Sequence, residues 1–504
     1  MGTQVVTTLV GLWFTHFTLN RVGQHDLGLW LIALQVTLYL SLLDLGVVGV
    51  LSRDLALAAG HPDPQAGRAA ARDTLATSVR VMLWQMPLVA AAAVGVWLAL
   101  PRGWAGLQQP LALILAIFVA AFPLRTLQAT LTGLQDQTCV GLVQFAAWSL
   151  GTATAVAMLL SGYGLYALVA SWSVAQLVPP AAYAVRMRSR FRHFVPRRLP
   201  RLAFSAIRVQ LGRAIWVSIG QVTHLAVTGI DVLVIGGLLG PGAVVPYMCT
   251  GKLVAVGSGL PLSVAALAGP ALGELRAREG PRRLEGAMHA LGLAVLLLGG
   301  ALSVVVLIAN EGFVRLWVGA PQFGGVALTA AFVVNAMVRQ WGATFGQAVF
   351  YGGHERKLGL NGLVESVVVV GLTIALVGTV GAIGAPLASL AGVTAVALPF
   401  ALRRFATDVG STAGSMLRAM VDAAWRIAVA LGASLLLWAA WRPAGVLEVS
   451  LAATAAVGFY AMLTLPLLGR PPLKGYVDLI LAPVWPAAAS LLGGRHRATA
   501  RSDG

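Results

Sequence analysis

The chain is poor in charge, in cysteine and in the motifs of soluble catalysis. Only 11% of its 504 residues are Asp, Glu, Lys or Arg, less than half of what a globular domain uses for a polar skin. A water-soluble enzyme is thereby excluded. Its two cysteines, Cys139 and Cys249, lie at the ends of different apolar stretches, so neither a disulfide framework nor a thiolate metal site is expected. The sequence has no Walker-type phosphate loop and no His-Glu-x-x-His string, the motifs that would point to ATP or zinc hydrolysis. We expect no enzyme activity and no cofactor. Any driving energy must come from an ion gradient, the membrane potential or the substrate gradient.

Hydrophobic residues, by contrast, make up 58% of the chain. They run in long blocks such as 111–121 and 367–380 rather than alternating, and runs of about 20 apolar residues cross a bilayer as helices. Fourteen stretches qualify: 4–20, 27–51, 79–100, 109–132, 139–160, 163–185, 214–239, 245–272, 286–309, 325–350, 358–378, 382–402, 423–441 and 446–467. The expected fold class is all-α integral membrane with about 14 transmembrane helices. The first stretch is short, but residues 1–18 lack the Lys or Arg that opens a signal peptide, so it reads as a helix. A further segment, 476–492, is interrupted by Pro483 and Pro486 and reads as interfacial.

The formal charge of +17 follows the same plan. Loops after even-numbered stretches, with the tail, hold 28 Lys and Arg, whereas loops after odd-numbered stretches hold four. This asymmetry is the positive-inside pattern, which predicts a multi-pass protein of a bacterial inner membrane with both termini cytoplasmic. The basic balance thus indicates topology and contact with anionic membrane lipids, not a nucleic-acid partner.

The chain also carries signs of duplication. Leu27-Gly28-Leu29-Trp30 is echoed by Leu239-Gly240 and Tyr247, and residues 133–144, ending Gly-Leu-Val-Gln, are echoed by 353–365, ending Gly-Leu-Val-Glu. Internal repeats of this kind are common in transporters. The expected organisation is a six-helix bundle at 1–185, a basic cytoplasmic linker at 186–213, a second six-helix bundle at 214–402, two added helices at 403–467 and a basic tail at 468–504.

Ionisable residues inside the spans are the first candidates for function, because a charge at the bilayer centre costs about 3 kcal/mol and is kept only for a cavity or a partner. Three are basic, Arg125, Lys252 and Arg339, and three acidic, Asp44, Asp231 and Glu365. Lys252 could contact a phosphate or snorkel outward. Arg339, with Asn335 one turn earlier, lies too deep to snorkel, which leaves a substrate contact or an interhelical salt bridge. Arg125 begins a polar stripe with Gln128 and Thr132, and the adjacent Pro123 is expected to kink its helix. Gln221, His224, Thr228 and Asp231 share one helix face. That face could bind a proton or cation for coupling, or satisfy groups between helices. Asp44 is expected to pair with Arg53 or another basic residue, and Glu365 occupies the repeat position of Gln144.

Three segments resemble one family. Residues 22–53, VGQHDLGLWLIALQVTLYLSLLDLGVVGVLSR, are similar to the amino-terminal signature of bacterial polysaccharide-repeat-unit flippases of the multidrug/oligosaccharidyl-lipid/polysaccharide exporter superfamily. Residues 229–247 and 352–372 resemble that family's seventh-helix and eleventh-helix regions. The resemblance implies two six-helix bundles that open alternately to each side and pass a lipid-linked saccharide headgroup between them. It also implies a cavity-lining role for Lys252, arginines at the cavity mouths at Arg21 and Arg53, and a structural or gating role for Asp44. A polysaccharide polymerase or glycosyltransferases would be its partners. Two alternatives stay open: a cation-coupled multidrug exporter on the same plan, and a non-transporting scaffold of a polysaccharide-synthesis complex.

Overall fold

A computed structural model describes residues 2–196 and 204–478. Sixteen α-helices occur among the described residues and no strand. Each of the fourteen apolar stretches overlaps helical backbone, in some cases with a break inside it: α1 Gly2–Ser41, α2 Val47–Ala59, α3 Pro64–Leu98, α4 Ala105–Ala121, α5 Arg125–Gly133, α6 Gln137–Leu160, α7 Leu165–Arg190, α8 Phe204–Leu238, α9 Pro241–Arg278, α10 Pro281–Val318, α11 Val326–Tyr351, α12 Glu355–Val380, α13 Gly384–Gly392, α14 Leu398–Val409, α15 Ala413–Trp441 and α16 Val446–Leu468. Among the described residues, eleven continuous segments are long and apolar enough to cross a membrane. Two of these cover two expected stretches each, and α11 is not among them because Asn335, Arg339 and Gln340 dilute its apolar content. The expected interfacial segment lies outside the described residues from 479 onward.

The interruptions have local causes. Helix α1 turns at Gly23, whose φ of 82° and ψ of 168° are open to glycine and closed to most side chains. The expected stretch 27–51 is not one helix. It breaks at a 3-10 turn, Leu42–Asp44, followed by Leu45 and Gly46 with φ of 49° and 74°, left-handed positions that an α-helix cannot continue through. A second break, Phe122–Leu124, contains Pro123 and separates α4 from α5. Between α13 and α14 the backbone widens to a π-turn at Val393–Ala397.

The chain forms two compact units, Met1–Pro246 with Ser366–Ala385, and Tyr247–Glu365 with Pro386–Gly504. In the first, α8 packs on α1 and α2. Gly229 and Gly236 of α8 sit so close to Gln35 and Ile32 that a Cβ at either would overlap them, and Tyr39 Oη donates to the Leu225 carbonyl at 3.1 Å. Ser366 Oγ likewise donates to the Thr223 carbonyl at 3.3 Å, which ties the second half of α12 to α8. In this unit α1, α2 and the second half of α12 thus all meet α8. In the second unit α10 is the hub, contacting α11, α14, α15 and α16. Gly300 admits Tyr460 of α16, whose hydroxyl donates to the Leu297 carbonyl at 2.5 Å.

Candidate functional site

In the first unit, the two helix breaks meet through Arg125. Its Nη1 donates to the Ser41 carbonyl at 3.1 Å and lies 3.7 Å from Asp44 Oδ2. Asp44 is buried, and its Oδ1 accepts the Gly46 amide at 2.8 Å. The Ser41 carbonyl and the Gly46 amide, two backbone groups at the break, thereby gain side-chain partners. Arg125 is thus a clasp between broken helices, and Asp44 pairs with Arg125 rather than with Arg53. Arg53 is exposed and lies 3.3 Å from its neighbour Asp54. Arg21 is exposed and sits over the Phe17 ring at 5.6 Å.

The polar face of α8 is partly open. Gln221, His224 and Thr228 are exposed, while Asp231 is half-buried with Oδ1 accepting the Val232 amide at 2.9 Å. Thr228 Oγ1 is turned back onto the His224 carbonyl at 2.7 Å, an ordinary intrahelical bond. His224 and Asp231 share this face, seven residues apart.

In the second unit, Arg339 is committed. Its Nη1 donates to Glu365 Oε1 at 3.0 Å, and Nη2 donates to the Ser389 carbonyl at 3.0 Å and to Ser389 Oγ at 2.8 Å. The three groups come from α11, α12 and α13, so Arg339 and Glu365 are brought together across sequence. Of the two readings open to Arg339, this geometry is the interhelical salt bridge. Asn335, one turn away, has a buried Oδ1 that receives no hydrogen bond among the described residues.

Lys252 differs. It lies on α9 about 16 Å from Pro241 at 1.5 Å per residue, half-buried, and makes no ion pair or hydrogen bond among the described residues. The helix turn just before it is held firmly. Asn310 Nδ2 donates to the Thr250 carbonyl at 3.0 Å and to Thr329 Oγ1 at 2.9 Å, and the Gly324 amide donates to Thr250 Oγ1 at 2.8 Å. Gly251 rests against Phe332, where a Cβ would approach the ring to 3.1 Å. Sequence reasoning missed Asn310. A lone amide directly after the apolar stretch 286–309 was the available signal, and the structure buries it fully.

Outside the spans, Arg186 Nε donates to Asp136 Oδ2 at 2.8 Å. That bond holds the Asp136 carboxyl below the usual carboxylate range.

No protein-family model matches the sequence, and no curated protein sequence matches it. Solved structures do. A lipid II flippase, MurJ, in an inward closed conformation is similar with a TM-score of 0.65 and 10% identity, over 92% of this chain and 98% of that one. A multidrug resistance MATE family transporter of the MOP superfamily, inward-facing, gives 0.64 and 14% identity over 80% and 95%. An outward-facing MATE transporter gives 0.51 and 12% identity over 81% and 93%. At these identities the likeness establishes the fold alone, an all-α membrane-transporter fold like that of the MurJ flippase and the MATE transporters.

Proposed function

We propose that the protein is a transporter that flips a lipid-linked oligosaccharide, a polysaccharide repeat unit on an isoprenoid pyrophosphate carrier, across the bacterial inner membrane by alternating access. The product would serve cell-surface polysaccharide biosynthesis. The observation that carries this reading is Lys252, an intramembrane cation on a MurJ- and MATE-like fold with no acidic partner among the described residues. A charge kept in a span without a partner needs an anion or water to offset its desolvation, and a pyrophosphate headgroup supplies the anion. Arg21, exposed near the kink at Gly23, adds a second cation able to attract such a headgroup. Arg125 and Arg339 serve the framework in this reading. Asp231 and His224 are the groups placed to exchange a proton or cation for coupling, and their test is loss of ion-driven transport in Asp231→Asn.

The experiment is a lipid extract from cells depleted of the protein, assayed for isoprenoid-pyrophosphate-linked sugars and for the membrane face they occupy. Accumulation on the cytoplasmic face, reversed by wild type but not by Lys252→Ala, is the expected result. No accumulation, with greater sensitivity to cationic dyes, would replace the reading with drug export. Accumulation reversed equally by Lys252→Ala would point to a scaffold.

A further inference from the structure

One end of the α15–α16 pair, in the second unit, gathers arginines around a single carboxylate. Asp422 Oδ1 accepts Trp425 Nε1 at 2.9 Å and Arg426 Nε at 3.2 Å. Its Oδ2 accepts Arg470 Nη1 at 3.2 Å, from the turn that follows α16. Arg426 also reaches across the pair, donating from Nη1 to the Leu463 carbonyl of α16 at 2.6 Å. Its guanidinium lies 5.3 Å from the centre of the Trp425 ring. Arg418, one turn before Asp422, is exposed and bonds, among the described residues, only to the Gly414 carbonyl of its own helix, at 3.3 Å.

The charges in this cluster do not balance. Three guanidinium groups meet one carboxylate, and beyond them Lys474 and Asp478, both exposed, offset each other. The outer arginines are the accessible ones. The Arg470 side chain is 60% exposed against 15% for Arg426, which is held between Asp422 and Leu463.

Beside the cluster the surface turns apolar. Val421, Trp425, Val429 and Leu436 follow one another along a single face of α15, leading away from this end, and all four are exposed. Met462 and Leu465, next to Leu463 on α16, are exposed as well. Both helices are long and apolar enough to cross a membrane, so such a stripe meets hydrocarbon, and a tryptophan where it meets charge suits the membrane–water interface. Spare positive charge followed by an apolar stripe is the order in which an anionic phospholipid carries its headgroup and its chains.

We propose that this end of α15 and α16 binds an anionic phospholipid of the surrounding bilayer. The phosphate sits between Arg418 and Arg470 and takes up the unbalanced charge, through charge-assisted hydrogen bonds of the stronger kind. The acyl chains lie along Val421, Trp425 and Val429. Arg470 is the shared group: as it turns to the phosphate it leaves Asp422, which keeps Trp425 and Arg426. The bound lipid fastens the last two helices to the bilayer surface. The site stands independently of what the protein transports.

The test is native mass spectrometry of the full chain in a neutral detergent, with equal amounts of phosphatidylglycerol and phosphatidylcholine of the same chain length. Wild type should retain phosphatidylglycerol in preference. The double variant Arg418→Gln/Arg470→Gln should lower that retention at least about fivefold, the effect of one basic residue at an anionic surface. Arg188→Gln/Arg190→Gln, which removes the same charge from exposed positions at the end of α7, should leave it within about twofold. Asp422→Asn, which removes the competing carboxylate, should raise it. No preference in wild type, equal losses in the two double variants, or lower retention in Asp422→Asn would each overturn the proposal. Complete displacement by equimolar glycerol phosphate or isoprenyl phosphate would also overturn it, assigning the cluster to a free phosphate or to a carrier lipid.

Discussion

Arg339 and Glu365, 26 residues apart in sequence, face each other at 3.0 Å across α11 and α12, with Ser389 closing the other side of the guanidinium. Both sit in expected membrane spans, and Glu365 is the more buried, its side chain 10% exposed against 26% for Arg339. Removing one partner leaves an uncompensated charge in a poorly solvated place. Arg339→Met or Glu365→Leu alone should therefore cost about 3 kcal/mol. The double variant, with no charge left to strand, should cost clearly less than the sum of the two. Thermal unfolding of the four proteins in detergent measures this cycle, and strictly additive losses would show that the two residues act separately.

Lys252 should behave in the opposite way. With no ion pair or hydrogen bond among the described residues, its removal strands no partner. Lys252→Ala should leave the unfolding temperature within the small range of ordinary neutral substitutions, about 0.5 kcal/mol, while transport of a lipid-linked saccharide in proteoliposomes drops at least tenfold. Lys252→Arg, which keeps the positive charge, should retain part of that activity. A large loss of stability in Lys252→Ala would mean that the lysine is a structural group.

The contrast between these two residues marks what the sequence could and could not say. Composition and apolar run length were enough for the helical membrane fold, because a bilayer imposes both length and backbone satisfaction on each span. Depth picked out Lys252, Arg339, Glu365 and Asp44 as candidates. Partnership was not visible. Arg125 pairs with Asp44 from 81 positions away, and Arg276 with Asp408 from 132. The break at Leu42–Asp44 was hidden as well, since Leu45 takes a left-handed conformation that leucine rarely adopts. Only Gly46, next to it, offered a local hint.

Glycine packing gives a sharper test of the fold. Gly28 of α1 lies against the backbone of Pro241 and Gly242, and a Cβ there would overlap the Pro241 carbonyl, which cannot swing aside as a side chain can. Gly28→Ala should destabilise the first unit by about 3 kcal/mol or more, at the upper end for overpacking. Gly11→Ala is the matched control. It lies on the same helix with no atom within 4 Å of the added Cβ, and alanine is the better helix former. Equal unfolding temperatures for the two variants would contradict the α1 packing described above.

Asp136 offers a pH test outside the spans. Its carboxyl is held below the ordinary range, first by the hydrogen bond from Arg186 and further by the positive charge of Arg186 and Arg190. The sign follows from linkage. A depressed folded-state value means that the folded chain holds the charged form more tightly than the unfolded chain does. The contribution is present above the unfolded carboxylate value of about 3.9 and disappears as pH falls through the lower folded value. Wild type should therefore unfold at a higher temperature than Asp136→Asn by a constant margin from about pH 5 to pH 8, and the margin should close below about pH 4. High salt should narrow it, because Arg186 is about one-third exposed and the pair is partly screened. A margin unchanged in acid would mean that Asp136 stabilises the α5–α6 turn by geometry rather than by charge.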